Sequence, residues 1–250
     1  MKISIITPNN NGGIYIENCI ISVLKQNVDF EHIIVDCKST YSSNEIFKKY
    51  PHLKIISESD NGMYDAINKG IALAKGDIIS YLNCDDRYPN NSLKIVEQLF
   101  SKYSFDFVYG DCKLISDSEK DIYIYRVPPI SRELLKQITV VPWAQPSIFF
   151  RRYIFDDIGN FNINYSFASD YEFMKRVIFS EYIGFRCKEV LSKFMIRDDS
   201  LGSKYSIEML DEGARIKKNL KIKNRPILDL LFNIYRKVYN FHTLLKTFNK

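Results

Sequence analysis

Short β-branched runs alternate with stretches of helical periodicity over the first hundred residues. Residues 2–7 read as a buried strand, which Pro8 and the turn-forming series Asn9, Asn10, Asn11, Gly12 and Gly13 bring to an end. Over 14–26 apolar residues recur at helical spacing. A second strand is predicted at 32–36, a helix at about 43–50 and a third strand at 53–57. A helix at 63–74, closed by Gly76, and a fourth strand at 77–82 follow. This alternation predicts an α/β fold whose mostly parallel central sheet is flanked by helices on both faces.

In such a sheet ligands bind beyond the carboxyl ends of the strands. The four ends offer Thr7-Pro8, Asp36, the segment 58–60 with Asp60, and Asp85-Asp86. Three of the four present carboxylates. Converging acids repel one another and desolvate badly, so a bound cation or a set of sugar hydroxyls is needed to resolve the conflict.

The second half is less regular. Segments 105–115 and 121–127 read as strands of a hairpin, and Pro128-Pro129 breaks the chain before a helix at 131–138. A helix at 168–179 starts near Ser169 or Asp170. Strands at about 183–190 and 192–197 precede a helix from about 203. With no repeat and no linker before 203, the parse is one domain at 1–202 and a helical tail at 203–250.

Charge sharpens this division. The 250 residues carry a formal +5, which is mild and lacks the dense basic clustering of a nucleic-acid binder. Residues 215–250 hold ten basic groups against Asp229 alone, or +9, and the preceding 214 residues hold −4. In the tail Ile227, Leu231, Ile234, Val238, Phe241, Leu245 and Phe248 recur at steps of four and three, as in an amphipathic helix. A helix of this kind suits an anionic membrane surface, the body of the protein or a second subunit across 225–250.

Composition removes other classes. No apolar run reaches the roughly 18 residues of a membrane span, and the polar residues from Asn9 onward do not suit a signal peptide. The five cysteines and three histidines are scattered, without C-x-x-C spacing. This pattern fits a reducing cytoplasm, with any peripheral membrane seat on its inner face, and confines a metal to a hard cation held by oxygen.

The stretch SESDNGMYDAINKGIALAKGDIISYLNCDDRY (57–88) carries the most specific signal. With Ile5-Ile6-Thr7-Pro8, Ile34-Val35-Asp36, QPSIFFRRYIFDDIGNFN and ASDYEFMKRV in order, the chain resembles the family 2 glycosyltransferases across roughly 2–200. The resemblance implies a GT-A fold and an inverting hexosyl or N-acetylhexosaminyl transfer. The donor would be a nucleotide sugar, most simply UDP-linked, and the acceptor a saccharide or lipid-linked saccharide of a surface polysaccharide. A departing diphosphate needs its charge neutralised, and Mn²⁺ or Mg²⁺ supplies that. In the family's D-x-D-type position stand Asn83-Cys84-Asp85-Asp86. Asp85 is the implied metal ligand and Asp86 the contact to ribose, donor sugar or a metal-bound water.

By the same resemblance Thr7, Pro8 and Asp60 border the nucleotide, and Asp36 accepts a hydrogen bond from the base or anchors its own Ser/Thr-rich turn. Asp170 matches the general base, although a helix start also suits an aspartate that merely caps, and the helix dipole favours its ionised form. Trp143, Gln145 and Arg151 (or Arg152) are acceptor-groove candidates, with Trp143 equally suited to the core. Arg197 is the phosphate candidate, and Asp198-Asp199 replace the histidine that many relatives carry there. Asp65 and Asn68 share a helical face, for support or for contact. The rival readings are a nucleotidyltransferase, which lacks its basic phosphate loop after the first strand, and a catalytically silent sugar-nucleotide or membrane-binding module.

Overall fold

A computed structural model describes residues 1–39, 41–197 and 206–248. Thr40, the Asp198-Asp199-Ser200 segment and the 202/203 boundary lie outside the described residues.

Four strands follow the predicted pattern: β1 (Ile3–Asn9), β2 (Phe30–Asp36), β3 (Leu53–Ser57) and β4 (Ile78–Tyr81). They are joined by α1 (Gly13–Leu24), α2 (Tyr41–Lys48) and α3 (Met63–Leu73). These strands pair in parallel in the order β3-β2-β1-β4. Every residue of β1 is buried. Ile6 packs with Ile67 and Phe150 on one face, and Ile3 and Ile5 pack with Val23 and Val96 on the other. A strand covered on both sides has no polar face to show, which is why its sequence is a near-continuous apolar run.

Beyond β4 the chain departs from simple alternation. Helix α4 (Ser92–Lys102) follows, unassigned from the sequence, although Leu93, Val96 and Phe100 form its buried stripe. Strand β5 (Phe107–Ser116) and β6 (Asp121–Tyr125) make the predicted antiparallel hairpin. Helix α5 (Arg132–Gln137) and a 3-10 turn at Gln145–Ser147 lead into β7 (Ile148–Arg151), which lies antiparallel between β4 and β5. Helices α6 (Tyr153–Ile158) and α7 (Ser169–Phe179) precede β8.

The two strands expected at 183–197 are one, β8 (Gly184–Ile196), running parallel to β5. Its register shifts opposite Asp111, and pairing on either side of that irregularity carries the strand through. Gly110 permits this, because a Cβ there would overlap Leu191 of β8. Two further helices, α8 (Ser206–Asn219) and α9 (Pro226–Phe248), make up the tail.

The tail is fastened to the body. Phe232 of α9 is in the main core cluster. Buried Asn240 accepts from Arg126 N (2.7 Å) and donates to Arg126 O (3.0 Å). Asp229 accepts from both Thr139 N (2.7 Å) and Thr139 Oγ1 (2.8 Å). Ile227, Leu230, Leu231, Ile234 and Val238 form a second, outward apolar stripe, each at least half exposed. No helix among the described residues is long and apolar enough to cross a membrane.

Candidate active site

The carboxyl ends of β1 and β2 are locked together by Asn9. Its Nδ2 donates to Asp36 Oδ1 (2.6 Å) and Ser39 Oγ (3.0 Å), and its Oδ1 accepts from Gly12 N (3.1 Å). Asp36 is fully buried and also accepts from Ser39 N (2.9 Å) and Ser57 Oγ (3.1 Å). The turn-anchor function of Asp36 is thus built in place. Thr7 lies buried inside β1, its hydroxyl 2.9 Å from His32 Nε2. Pro8 is buried beside Val35, and half-buried Asp60 takes the Gly62 N–H (3.0 Å) just past β3. The sequence marks Asn9 only as a turn former. Its register opposite Asp36 is the signal that marks it out.

The end of β4 carries the second group. Asp86 is buried, with Oδ1 accepting from Met195 N (3.0 Å). Burial and the neighbouring charge of Asp85 push its carboxyl well above the usual range, and the Met195 N–H offsets this only in part. Arg87 bridges Lys193 through backbone bonds of 3.0 and 2.7 Å, so β8 clasps the turn. The next residue beyond β8, Arg197, meets Asp85 Oδ2 at 3.2 Å and stacks on Tyr15, 4.4 Å from the ring centre. The structure therefore brings Asp85, Asp86 and Arg197 together.

Two oxygens in this turn, Asp86 Oδ2 and Asn83 Oδ1, are buried without a partner. With Asp85 they make a set of hard oxygen donors within four residues, which fits Mn²⁺ or Mg²⁺. Among the described residues no three His, Cys, Asp or Glu side chains form a protein-only metal cluster. A cation held by one or two carboxylates and completed by substrate phosphates needs none.

Asp170 lies in the first turn of α7, in the wall of a cavity of about 400 Å³. Burial raises its carboxyl above the ordinary aspartate value, outweighing hydrogen bonds from Tyr171 N (2.7 Å) and the Tyr64 hydroxyl. The dipole at the helix start favours the ionised form, and desolvation opposes it. Asp170 does not cap α7. Buried Glu212, reaching over from α8, accepts from Ser166 N (2.7 Å), Phe167 N (2.8 Å) and Ala168 N (2.9 Å). Tyr81, the last residue of β4, also lines the cavity. Its hydroxyl is pushed well up by burial and then by the charges of Asp170, Tyr64 and Asp86.

Trp143 and Gln145 line the same cavity. Trp143 serves both readings: it packs 4.5 Å from Tyr109 in the core, and its Nε1 has no partner. Gln145 Nε2 donates to Tyr81 O (2.8 Å). Arg151 is a correction. It pairs with Ile78 at the start of β4, donates to Phe100 O (3.0 Å) and lies over the Phe100 ring. Because β7 runs antiparallel to β4, each step from Ile148 to Arg151 leads away from the ligand edge, and Arg152 follows it. Asn68 and Asp65 are supports: Asn68 holds both backbone groups of Phe161 (2.8 and 3.0 Å), and Asp65 sits 3.5 Å from Lys69. Glu172 is likewise structural, paired with Arg176 at 2.9 Å.

Residues 4–169 match the description of Glycosyl transferase family 2. The chain belongs to that family. Over 178 residues it is 30% identical to a "PGL/p-HBAD biosynthesis glycosyltransferase" of Mycobacterium bovis, covering 68% of this chain and 67% of that one. The fold is similar to that of S. aureus TarS 1–349, solved in complex with UDP-GlcNAc (TM-score 0.69, 19% identity, 95% of this chain and 72% of that one). It is also similar to the mannosyltransferase PcManGT of Pyrobaculum calidifontis, solved with GDP-Man and Mn²⁺ (TM-score 0.66, 14% identity, 97% and 71%). This glycosyltransferase thus has the GT-A architecture, with its acids at the edge of the sheet where a donor binds in an open α/β fold.

Proposed function

We propose that this glycosyltransferase moves a hexosyl or N-acetylhexosaminyl group from a nucleotide diphosphate sugar, UDP-linked by preference, to an acceptor hydroxyl with inversion. The observation that carries the reading is that β4 leads into an oxygen-rich turn at residues 83–86 while its last residue, Tyr81, lines the cavity that holds the single carboxylate of Asp170. Asp170 takes the proton from the acceptor hydroxyl. The acceptor oxygen then bonds to the anomeric carbon as the bond to the β-phosphate oxygen breaks, and the nucleoside diphosphate leaves with the electron pair. Asp85, with Asp86 and Asn83, would hold a divalent cation, which would supply charge neutralisation for that diphosphate. Arg197, now on Asp85, is within reach of the same phosphates. Thr7, Pro8, Asp36 and Asp60 flank the nucleotide through the β1–β3 ends.

The outward stripe of α9, with exposed Lys221, Lys223, Arg225 and Lys237 near it, supports a peripheral seat on anionic lipid close to a lipid-linked acceptor of surface polysaccharide synthesis.

Transfer measured by nucleotide release with UDP-, GDP- and dTDP-sugars tests the reading. Asp170→Asn is expected to lower kcat by about 10²-fold or more, and EDTA to abolish turnover that Mn²⁺ restores. Normal turnover in Asp170→Asn removes the base, and chelator-insensitive turnover removes the metal. A burial-raised base is active when deprotonated, so activity is expected to fall with decreasing pH earlier than for an ordinary aspartate.

A further inference from the structure

The cavity that holds Asp170 is built for an apolar guest. Its wall includes Val140 and Val141 from the loop after α5, Met174 from α7, and Met209 and Leu210 from α8. Two of its polar side chains are already engaged: Thr139 Oγ1 donates to Asp229 and Gln145 Nε2 to the Tyr81 carbonyl. A bare sugar placed here would leave several hydroxyls facing hydrocarbon without partners. The volume of about 400 Å³ exceeds the roughly 150 Å³ in which an apolar cavity binds benzene. Two donors in the wall are buried and unpartnered, the Tyr171 hydroxyl and Trp143 Nε1. Trp143 is 7% exposed, and its Nε1 has no hydrogen-bond partner. Gly213, midway along α8, also lines the space, and a Cβ placed on it meets no atom within 4 Å. Glycine there forgoes the helix propensity of any larger residue and leaves the volume open.

We infer that this cavity takes an acceptor carrying an apolar group, of ring or short acyl size, beside its reacting hydroxyl, with Trp143 Nε1 donating to an acceptor oxygen. The inference rests on Asp170 being the base, since that places the reacting hydroxyl in this cavity. The acceptor class is thus an amphiphilic glycoside or alcohol, not a free sugar.

Trp143 is the sole tryptophan of the chain, so its emission, excited selectively over tyrosine, reports occupancy without turnover. Octyl β-D-glucoside, kept below its micelle concentration, is expected to give a saturable shift of that emission. Methyl β-D-glucoside at the same concentrations is expected to give none. In Gly213→Phe the octyl response should weaken at least about tenfold with circular dichroism and melting unchanged. Leu210→Lys, at a position 75% exposed and therefore tolerant, should weaken it several-fold and serves if the phenylalanine variant fails to fold. Identical responses to the two glycosides, a response that never saturates, or an undiminished response in these variants overturns the proposal. Asp170→Asn separates the two readings: it should keep the fluorescence response and lose transfer. If it transfers normally, the base assignment fails while the binding result still reports on the cavity.

Discussion

Replacing Glu212 by alanine removes three backbone hydrogen bonds at one stroke. Its carboxylate is nearly sealed from solvent and takes the Ser166, Phe167 and Ala168 N–H groups at 2.7, 2.8 and 2.9 Å, in the turn that leads to the N-cap of α7. Hydrogen bonds to a charged group contribute about 1.5–3 kcal/mol each. Two of these share Oε2 and water can reach exposed Ser166, so they do not add in full. A loss of about 3–4 kcal/mol is expected for Glu212→Ala. Glu212→Gln keeps one carbonyl oxygen for two of the three donors and should cost about 1–2 kcal/mol. Either is a large share of a typical stability of about 5–15 kcal/mol. Asp170 follows Ala168 by two residues, so a loosened clamp also misplaces the proposed base. A displacement near 1 Å costs about 10²-fold in rate. Urea unfolding and steady-state transfer on the same samples make the test: kcat should fall about 10- to 100-fold in Glu212→Ala with donor KM nearly unchanged. A stability loss under about 1 kcal/mol, or an undiminished kcat, refutes the argument.

Other expectations follow from the same geometry. Buried His32, held neutral against Thr7, has its pKa lowered by desolvation to about 3. The unfolded chain then binds the proton more readily, so stability should fall as pH drops from about 6.5 toward 3, and His32→Gln should flatten that part of the urea-midpoint profile. Gly70→Ala should destabilise by about 1–3 kcal/mol in thermal unfolding despite its better helix propensity, because the new methyl overlaps Ile6 of β1. Arg151→Ala should leave transfer kinetics intact and cost about 0.5–1 kcal/mol through its lost place over Phe100. A Leu230→Ser, Leu231→Ser, Ile234→Ser triple variant should lose flotation with anionic vesicles. Unchanged flotation, or a shift from dimer to monomer in the variant, assigns the stripe elsewhere.

The first half of the fold was legible because its signals are local. Pro8, the Asn-Gly turn and Gly76 punctuate apolar runs whose period identifies each element, and β1 to β4 and α1 to α3 lie within a few residues of their predicted limits. The buried stripe of α4 is Leu93, Val96 and Phe100, at helical spacing in the sequence. Strand β7, four residues of buried apolar chain, has no period that separates it from a turn of helix. In β8, Lys188 and Glu189 interrupt the apolar pattern, and only the ladder to β5 shows that the strand continues.

The site divides along the same line. Asp85, Asp86 and Asp170 stood out because acids at strand ends and a helix start are readable in order along the chain. The sequence by itself determined which residue types gather at the ligand edge, and that a metal there must be held by oxygen. Tertiary structure decided what those residues experience. Asn9 on Asp36, Arg197 on Asp85 and Glu212 beneath Asp170 are contacts between distant segments. The burial that raises Asp170, the direction of β7 that carries Arg151 away, and the tail helix that completes an apolar cavity have no local pattern. Periodicity records the backbone's own geometry, whereas desolvation and long-range pairing exist only once the chain has closed on itself.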